Sequence, residues 1–211
     1  MRGRFITMEG LDGCGKSTQL ERLASALKAR GLDLLITREP GGTPLGEGVR
    51  GLLTSNVSDA IVPTAELFLI VGARAQHVAE CIRPALAEGR TVISDRYTDS
   101  TVAFQGYGRG LDLGLIEKMN AAATGGLRPD LTVVLDLEPE QAQARMSPRP
   151  IAGLLGALDI EKLDFHTRVR RGYLDLAVRE ADRIRIVNAA GSSDETHAAV
   201  MRVVEEVVSG Q

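Results

Sequence analysis

Apolar residues along the chain fall into short continuous runs, separated by longer stretches where they recur every three or four positions. Five runs predict buried strands: Phe5–Met8, Leu32–Thr37, Thr91–Ser94, Leu131–Leu137 and Ile184–Val187. They do not alternate with polar positions, as expected of parallel strands covered on both faces. Between the first two, Leu20, Leu23, Ala24 and Leu27 form the stripe of a helix with one buried face. Gly31 follows where a C-terminal cap belongs. Further helical patterns cover Thr64–Glu88, Asp112–Thr124, Glu140–Met146, Ile160–Glu180 and Ser193–Val208. Ser192 and Glu195 stand at capping-box spacing ahead of the last. This alternation predicts a single α/β domain, a five-stranded parallel sheet flanked by helices, with ligands beyond the carboxyl ends of the strands. The segment Met146–Leu158 has no clear period, is rich in Pro, Gly and Ala, and reads as a mobile loop.

Composition narrows the picture. The chain has 211 residues, 44% of them apolar, enough for a core without disulfides or metals. The formal charge of −3 argues against a general nucleic-acid or membrane-surface binder. Only four residues are lysine: Lys16, Lys28, Lys118 and Lys162. The other cations are arginines, the better forks for phosphate oxygens, although a general bias towards Arg explains most of them. Cys14 and Cys81 match no zinc or redox spacing. No leader opens the chain and no apolar run is long enough to cross a bilayer. A cytoplasmic protein is the expectation.

Gly10-Leu11-Asp12-Gly13-Cys14-Gly15-Lys16-Ser17 carries the phosphate-loop spacing of Gly, four residues, Gly-Lys-Ser, followed by Thr18. A strand precedes it and a helix follows, which turns a motif into a site. Glycines let the backbone wrap phosphates, the helix start adds positive potential, Lys16 reaches the β- and γ-phosphates, and Ser17 ligates magnesium. A chance match is on the order of one in a hundred. The expected architecture is therefore a three-layer P-loop NTPase fold that binds a nucleoside triphosphate, as GTPases, ATPases and kinases all do; the sequence has no Asn-Lys-x-Asp guanine signature, which lowers the GTPase reading. Two later strand ends carry Thr37-Arg38-Glu39-Pro40-Gly41-Gly42-Thr43 and Asp95-Arg96-Tyr97. Either arginine alone is a surface ion-pair partner; together at the ligand edge they favour a second phosphate group.

The stretches MEGLDGCGKSTQ, TREPGGTPLGE, ELFLIVGARAQHV, SDRYTDSTVAFQGYGRG, RPDLTVVLDLEPE and LDFHTRVRRGYLDLA together resemble the bacterial thymidylate kinase family along nearly the whole chain. The resemblance implies transfer of a phosphoryl group from ATP to dTMP, with Mg²⁺ as cofactor. It implies that Asp12 binds the sugar 3′-hydroxyl, that Arg38 and Arg96 bind the acceptor phosphate, and that Asp95 holds magnesium through water with help from Glu9. It places Phe68 on the thymine ring, Arg74 on its carbonyl edge, and Ser100 and Gln105 in the base pocket. Phe104 would crowd a ribose 2′-hydroxyl. Without the resemblance, Phe68 reads as core. His77 reads as structural, since an anionic acceptor needs no base. The resemblance also implies a homodimer joined through helices.

One departure concerns the arginine that meets the transferring group. Members carry it in the phosphate loop, where this chain has Gly13, or on a lid. Here the lid spans about 145–158 and offers Arg149 as the finger, with Arg145 near adenine beside Asn188. An Asp-Arg pair usual in such lids is replaced by Gly156-Ala157. Two rival readings stay open. A deoxynucleoside kinase would need a carboxylate base, Glu39 or Asp99. A non-catalytic regulator would bind both nucleotides and release no ADP.

Overall fold

Five strands lie where the apolar runs predict them: β1 Phe5–Gly10, β2 Leu34–Arg38, β3 Thr91–Asp95, β4 Leu131–Asp136 and β5 Ile184–Asn188. The structure is a computed structural model, and it describes residues 2–55, 60–146 and 163–208. Within those residues the strands form one sheet in the order β2-β3-β1-β4-β5. Every pairing is parallel. All six residues of β1 are buried, because the strand lies at the sheet's centre with helices over both faces. Side chains of alternate residues serve different layers. Ile6, Met8 and Ile93 join the larger core, while Phe5 and Val92 join a smaller one with Val78, Ile82 and Leu86.

The helices are α1 Lys16–Ala29, α2 Pro44–Leu53, α3 Pro63–His77, α4 Arg83–Ala87, α5 Thr98–Thr101, α6 Leu113–Thr124, α7 Pro139–Arg145, α8 Leu163–Arg179 and α9 Ser193–Val208. The capping box ahead of α9 forms: Ser192 Oγ accepts from Glu195 N at 3.2 Å, and Glu195 Oε2 accepts from Ser192 N at 2.8 Å. The stretch expected as one helix from Thr64 to Glu88 is interrupted. A π-helical segment, Val78–Ile82, joins α3 to α4. Pro84 in the following turn gives a reason: it has no N–H to donate and its ring crowds the preceding turn.

Three elements have no counterpart in the sequence pattern: α2, α5 and the π-helix that continues α5. Helix α2 carries Gly46, Gly48 and Gly51, each costing about 1 kcal/mol of helix propensity relative to Ala. Thr43 offsets part of that as N-cap, accepting from Gly46 N at 3.0 Å. Val49 and Leu53 then bury against Ala73 of α3. Beyond α5, residues Val102–Gly108 continue as a π-helix, which bears the Phe104 and Gln105 side chains.

Candidate active site

The sheet order puts the carboxyl ends of β1 and β3 side by side, with Met8 opposite Asp95. The turn after β1 therefore faces the turn after β3, although they are more than eighty residues apart. Gly15 closes the first turn at φ 99°, a region that L side chains avoid, and caps α1. Among the described residues no side chain caps that helix and no acidic residue lies in its first turn. Its leading N–H groups are thus offered to an anion. Lys16 is buried, and its Nζ donates to the carbonyls of Gly10 at 3.1 Å and Leu11 at 2.9 Å. Ser17 and Thr18 are exposed at the helix start. Gly13 lies against α7: a Cβ there would stand 2.3 Å from the Ala142 carbonyl. No larger side chain fits at that loop position without displacing α7.

Arg96 opens the second turn at φ 72°, the one non-glycine residue of the described chain at positive φ. Such a conformation costs about 1–2 kcal/mol and is held by its surroundings. Its Nη2 donates to Asp12 Oδ1 at 2.6 Å, and Lys16 Nζ lies 3.6 Å from the same oxygen. Burial would raise the Asp12 carboxyl, but Arg96 and Lys16 overcome it and hold it well below the usual carboxylate range. Two cations and one anion thus form a compact positive cluster between the two turns. Beside it, Asp95 Oδ1 is buried with no hydrogen-bond partner.

Behind this cluster opens a cavity of about 770 Å³, counting its mouth. Asp12, Arg96 and Ser100, which belong to or adjoin the cluster, are among its lining residues. Ile70, Arg74, Phe104 and Gln105 line its body, and Arg50, Leu53 and Thr54 of α2 close one side. The mixture of apolar walls with a few charged groups suits a nucleotide.

A family model described as Thymidylate kinase matches residues 8–200. The chain belongs to the thymidylate kinase family. A thymidylate kinase of Solidesulfovibrio magneticus is 49% identical over 208 residues, covering 97% of this chain and all of that one. Another, of Syntrophotalea carbinolica, is 47% identical and covers 90% of each chain. A crystal structure of thymidylate kinase from Ehrlichia chaffeensis superposes with a TM-score of 0.79 at 32% identity, covering 97% of this chain and 99% of that one.

Against that family background, the residues expected in the site divide into four groups. Asp12, Lys16, Arg96, Ser100, Phe104, Gln105 and Arg74 come together around the cluster and cavity. Arg38 stands at the rim, half-exposed, its Nη2 held by both oxygens of Glu47 at 2.9 and 3.1 Å. An exposed pair of this kind contributes roughly 0–1 kcal/mol, so a phosphate can replace Glu47 at little cost. Arg145 donates to the carbonyls of Ala189 at 2.9 Å and Ala190 at 3.3 Å, which brings it to the loop that begins at Asn188. Arg149 lies outside the described residues, as does most of the expected lid.

Two expectations need correction. Phe68 is 57% exposed and does not line the cavity. It stands six positions before Arg74 on α3, about 240° around the helix, whereas Ile70 stands four before and shares Arg74's face. Ile70 is the apolar wall of the cavity, and the four-residue spacing was the available signal. Ile70→Ala is expected to raise the KM for dTMP about tenfold, with Phe68→Ala leaving it within twofold; steady-state kinetics on both variants checks this.

Glu9 is the second correction. It is fully buried, and its oxygens accept from Tyr97 N at 2.8 Å, Ser100 Oγ at 2.5 Å and Tyr173 OH at 2.8 Å. It braces the turn after β3 instead of presenting an oxygen to a metal. Burial pushes its pKa from 4.5 up to about 7, with Arg96 opposing the rise. Between those values the folded protein binds a proton that the unfolded chain does not. Folding stability contributed by Glu9 is therefore present below about pH 4.5 and is lost as pH rises to about 7. The difference in melting temperature between Glu9→Gln and the parent should shift in the variant's favour from pH 5 to pH 7. A constant difference would mean that Glu9 titrates normally.

Both carboxylates considered as bases are committed elsewhere. Asp99 makes a two-pronged ion pair with Arg183, 2.7 Å on each arm, and accepts from Thr132 Oγ1. Glu39 is bound by Arg74 Nε at 2.7 Å and His77 Nδ1 at 2.9 Å. His77 is itself buried, its Nε2 lying 2.7 Å from Thr37 Oγ1.

Proposed function

We infer that the chain phosphorylates dTMP to dTDP with ATP, and that the two nucleotides meet end to end at the Arg96–Asp12–Lys16 cluster. The observation that carries this reading is the contact of Arg96 with the phosphate loop beside a cavity lined by apolar walls and a few charged groups. The P-loop and the start of α1 take the ATP phosphates, with Lys16 turning from the loop carbonyls to the β- and γ-oxygens. Arg96 takes the acceptor phosphate, and Arg38 joins it on release from Glu47. Asp12 accepts from the sugar 3′-hydroxyl. Arg74 already donates from Nε, twice from Nη1 and once from Nη2, which leaves one Nη2 hydrogen for the thymine edge. Ile70, Phe104, Ser100 and Gln105 shape the remaining walls of the base and sugar pocket.

An acceptor monophosphate has a second pKa near 6 and is already anionic at neutral pH. The reaction therefore needs no general base. It needs alignment of two mutually repelling anions and neutralisation of charge as the γ-phosphoryl group passes. Magnesium fits the residues present. Among the described residues no cluster of three potential ligands exists, which suits an ion bound by one or two protein groups and by substrate phosphates. Ser17 and the unpartnered Asp95 Oδ1 would hold it, and the chemistry it would supply is positive charge that offsets the phosphate charge during transfer. Arg145 and Asn188 border the adenine. Arg149 as the finger on the transferring group, and a lid at about 145–158 within one kinase domain, belong to this proposal on the resemblance alone.

A homodimer joined through α2 and α3 is part of the same reading. Leu45, Leu52, Val62 and Phe68 are exposed large apolar residues on or beside these two helices. Sedimentation as a monomer at micromolar concentration would remove it. A cytoplasmic location accords with the two free thiols, and no described helix is long and apolar enough to cross a membrane.

The test of function is a panel of thymidine, dTMP, dUMP and the other deoxynucleoside monophosphates with ATP and magnesium, followed by ADP release. dTMP is expected to be the fastest acceptor. Turnover of thymidine in place of dTMP would make the protein a nucleoside kinase. Binding of dTMP and ATP without ADP release would make it a regulator.

A further inference from the structure

Arg96 is gripped on several sides. Asp12 takes Nη2, and the Phe104 ring lies 4.6 Å from the guanidinium carbon. On Nη1, Ser100 Oγ accepts at 3.0 Å and Tyr173 OH at 3.2 Å. Tyr173 comes from α8, 77 residues along the chain. Both hydroxyls also donate to Glu9 Oε2, at 2.5 and 2.8 Å, which leaves their lone pairs for the guanidinium. Glu9 is fixed in turn through Oε1 by the Tyr97 backbone. Burial keeps the Tyr173 phenol protonated, so it serves Glu9 as a donor. Tyr173 does not line the nucleotide cavity. Any influence it has on the acceptor must pass through Arg96, Ser100 or the Phe104 ring, which it meets edge-on at 6.4 Å.

We propose that Tyr173 is a positioning residue for Arg96: its hydroxyl, oriented by Glu9, holds the guanidinium in the rotamer that meets the acceptor phosphate. The proposal rests on the reading of Arg96 as a ligand of that phosphate. A free arginine side chain populates many rotamers, and ordering it on binding opposes affinity. Holding it beforehand removes that cost and keeps the acceptor oxygen in line with the γ-phosphoryl group. The strained backbone at Arg96 supports the same end, since a residue at φ 72° aims its side chain along a path that a relaxed turn would not give.

The experiment measures the Kd of dTMP and of thymidine by calorimetry for the parent, Tyr173→Phe, Arg96→Ala and the double variant, with the KM for ATP alongside. Thymidine lacks the phosphate, so it reports the base and sugar pocket alone. Loss of a hydrogen bond to a charged group predicts a Tyr173→Phe Kd for dTMP about tenfold weaker. Thymidine affinity and the ATP KM should stay within twofold, and the Tyr173→Phe effect should vanish when Arg96 is already alanine. Equal weakening of dTMP and thymidine, no weakening, or full additivity in the double variant would overturn the proposal. If Arg96→Ala itself weakens dTMP no more than thymidine, the assignment of Arg96 fails first and the role of Tyr173 falls with it. Ser100→Ala, which removes the other hydroxyl on Nη1 together with part of the cavity wall, should weaken dTMP by a larger factor than thymidine, and equal weakening would count against the proposal. Its thymidine affinity reports separately on any base contact.

Discussion

Arg96→Ala is expected to lower kcat/KM for dTMP by about a thousandfold or more. Arginine contacts to a transferring or accepting phosphoryl group contribute on the order of 10³-fold to turnover, and single donors to a developing anion about 10²–10³-fold. Arg96 supplies the acceptor side of the positive cluster, and no second arginine reaches Asp12 among the described contacts. Arg38 adds to the clamp without replacing Arg96, because its contacts are to Glu47 and none of those described reaches Asp12 or the phosphate loop. The loss should appear in both kcat and KM, since the group binds the ground state and aligns the reacting oxygen. Stability is a separate question. Without Arg96 the Asp12 carboxylate still has Lys16 at 3.6 Å, while the buried Glu9 loses the cation that opposes its raised pKa. Arg96→Gly is the companion variant: it relieves the positive φ at this position, and should melt no lower than Arg96→Ala while being equally inactive. Steady-state kinetics and thermal melts of the pair read both effects. A loss of less than tenfold in either variant would remove Arg96 from the mechanism.

Lys16→Ala is the second large effect, a fall in kcat of about 10³-fold with a smaller change in the KM for ATP. The loop N–H groups and the start of α1 remain, so much of the phosphate binding survives. The charge that follows the γ-phosphoryl group does not. Lys16→Arg should rescue little. The buried ammonium is a compact point charge with three rotatable donors, and the fixed planar fork of a guanidinium does not reproduce it. Comparing single-turnover rates with ATP affinity for the two variants separates chemistry from binding. Wild-type turnover in either would mean that the loop holds phosphate without using its lysine.

Much of the architecture could be read directly. Continuous apolar runs marked the parallel strands because both sheet faces are covered, and that burial leaves its record within each run. The phosphate loop was legible for a similar reason: eight consecutive residues make the whole device, so spacing in the chain is spacing in space. Helix α2 was not legible, since its glycines oppose helix locally and its formation depends on Thr43 and on packing against α3. Phe68 was misplaced because a resemblance supplied the residue type while the helix turn supplies the face. Glu9, Asp99 and Glu39 were ambiguous as carboxylates in a string. Tyr173, Arg183 and Arg74 decided their roles from distances of 164, 84 and 35 residues along the chain.

The sequence by itself determined the sheet, the phosphate loop and the kind of chemistry, because each depends on neighbours within a few residues or on one repeating period. Only the tertiary structure decided which arginine meets the loop, which carboxylates are occupied, and which face of α3 looks into the cavity. Those outcomes depend on desolvation and pairing between segments that meet only when the strands stack. A charged group's function follows from the partner it finds there, and linear order does not record that partner.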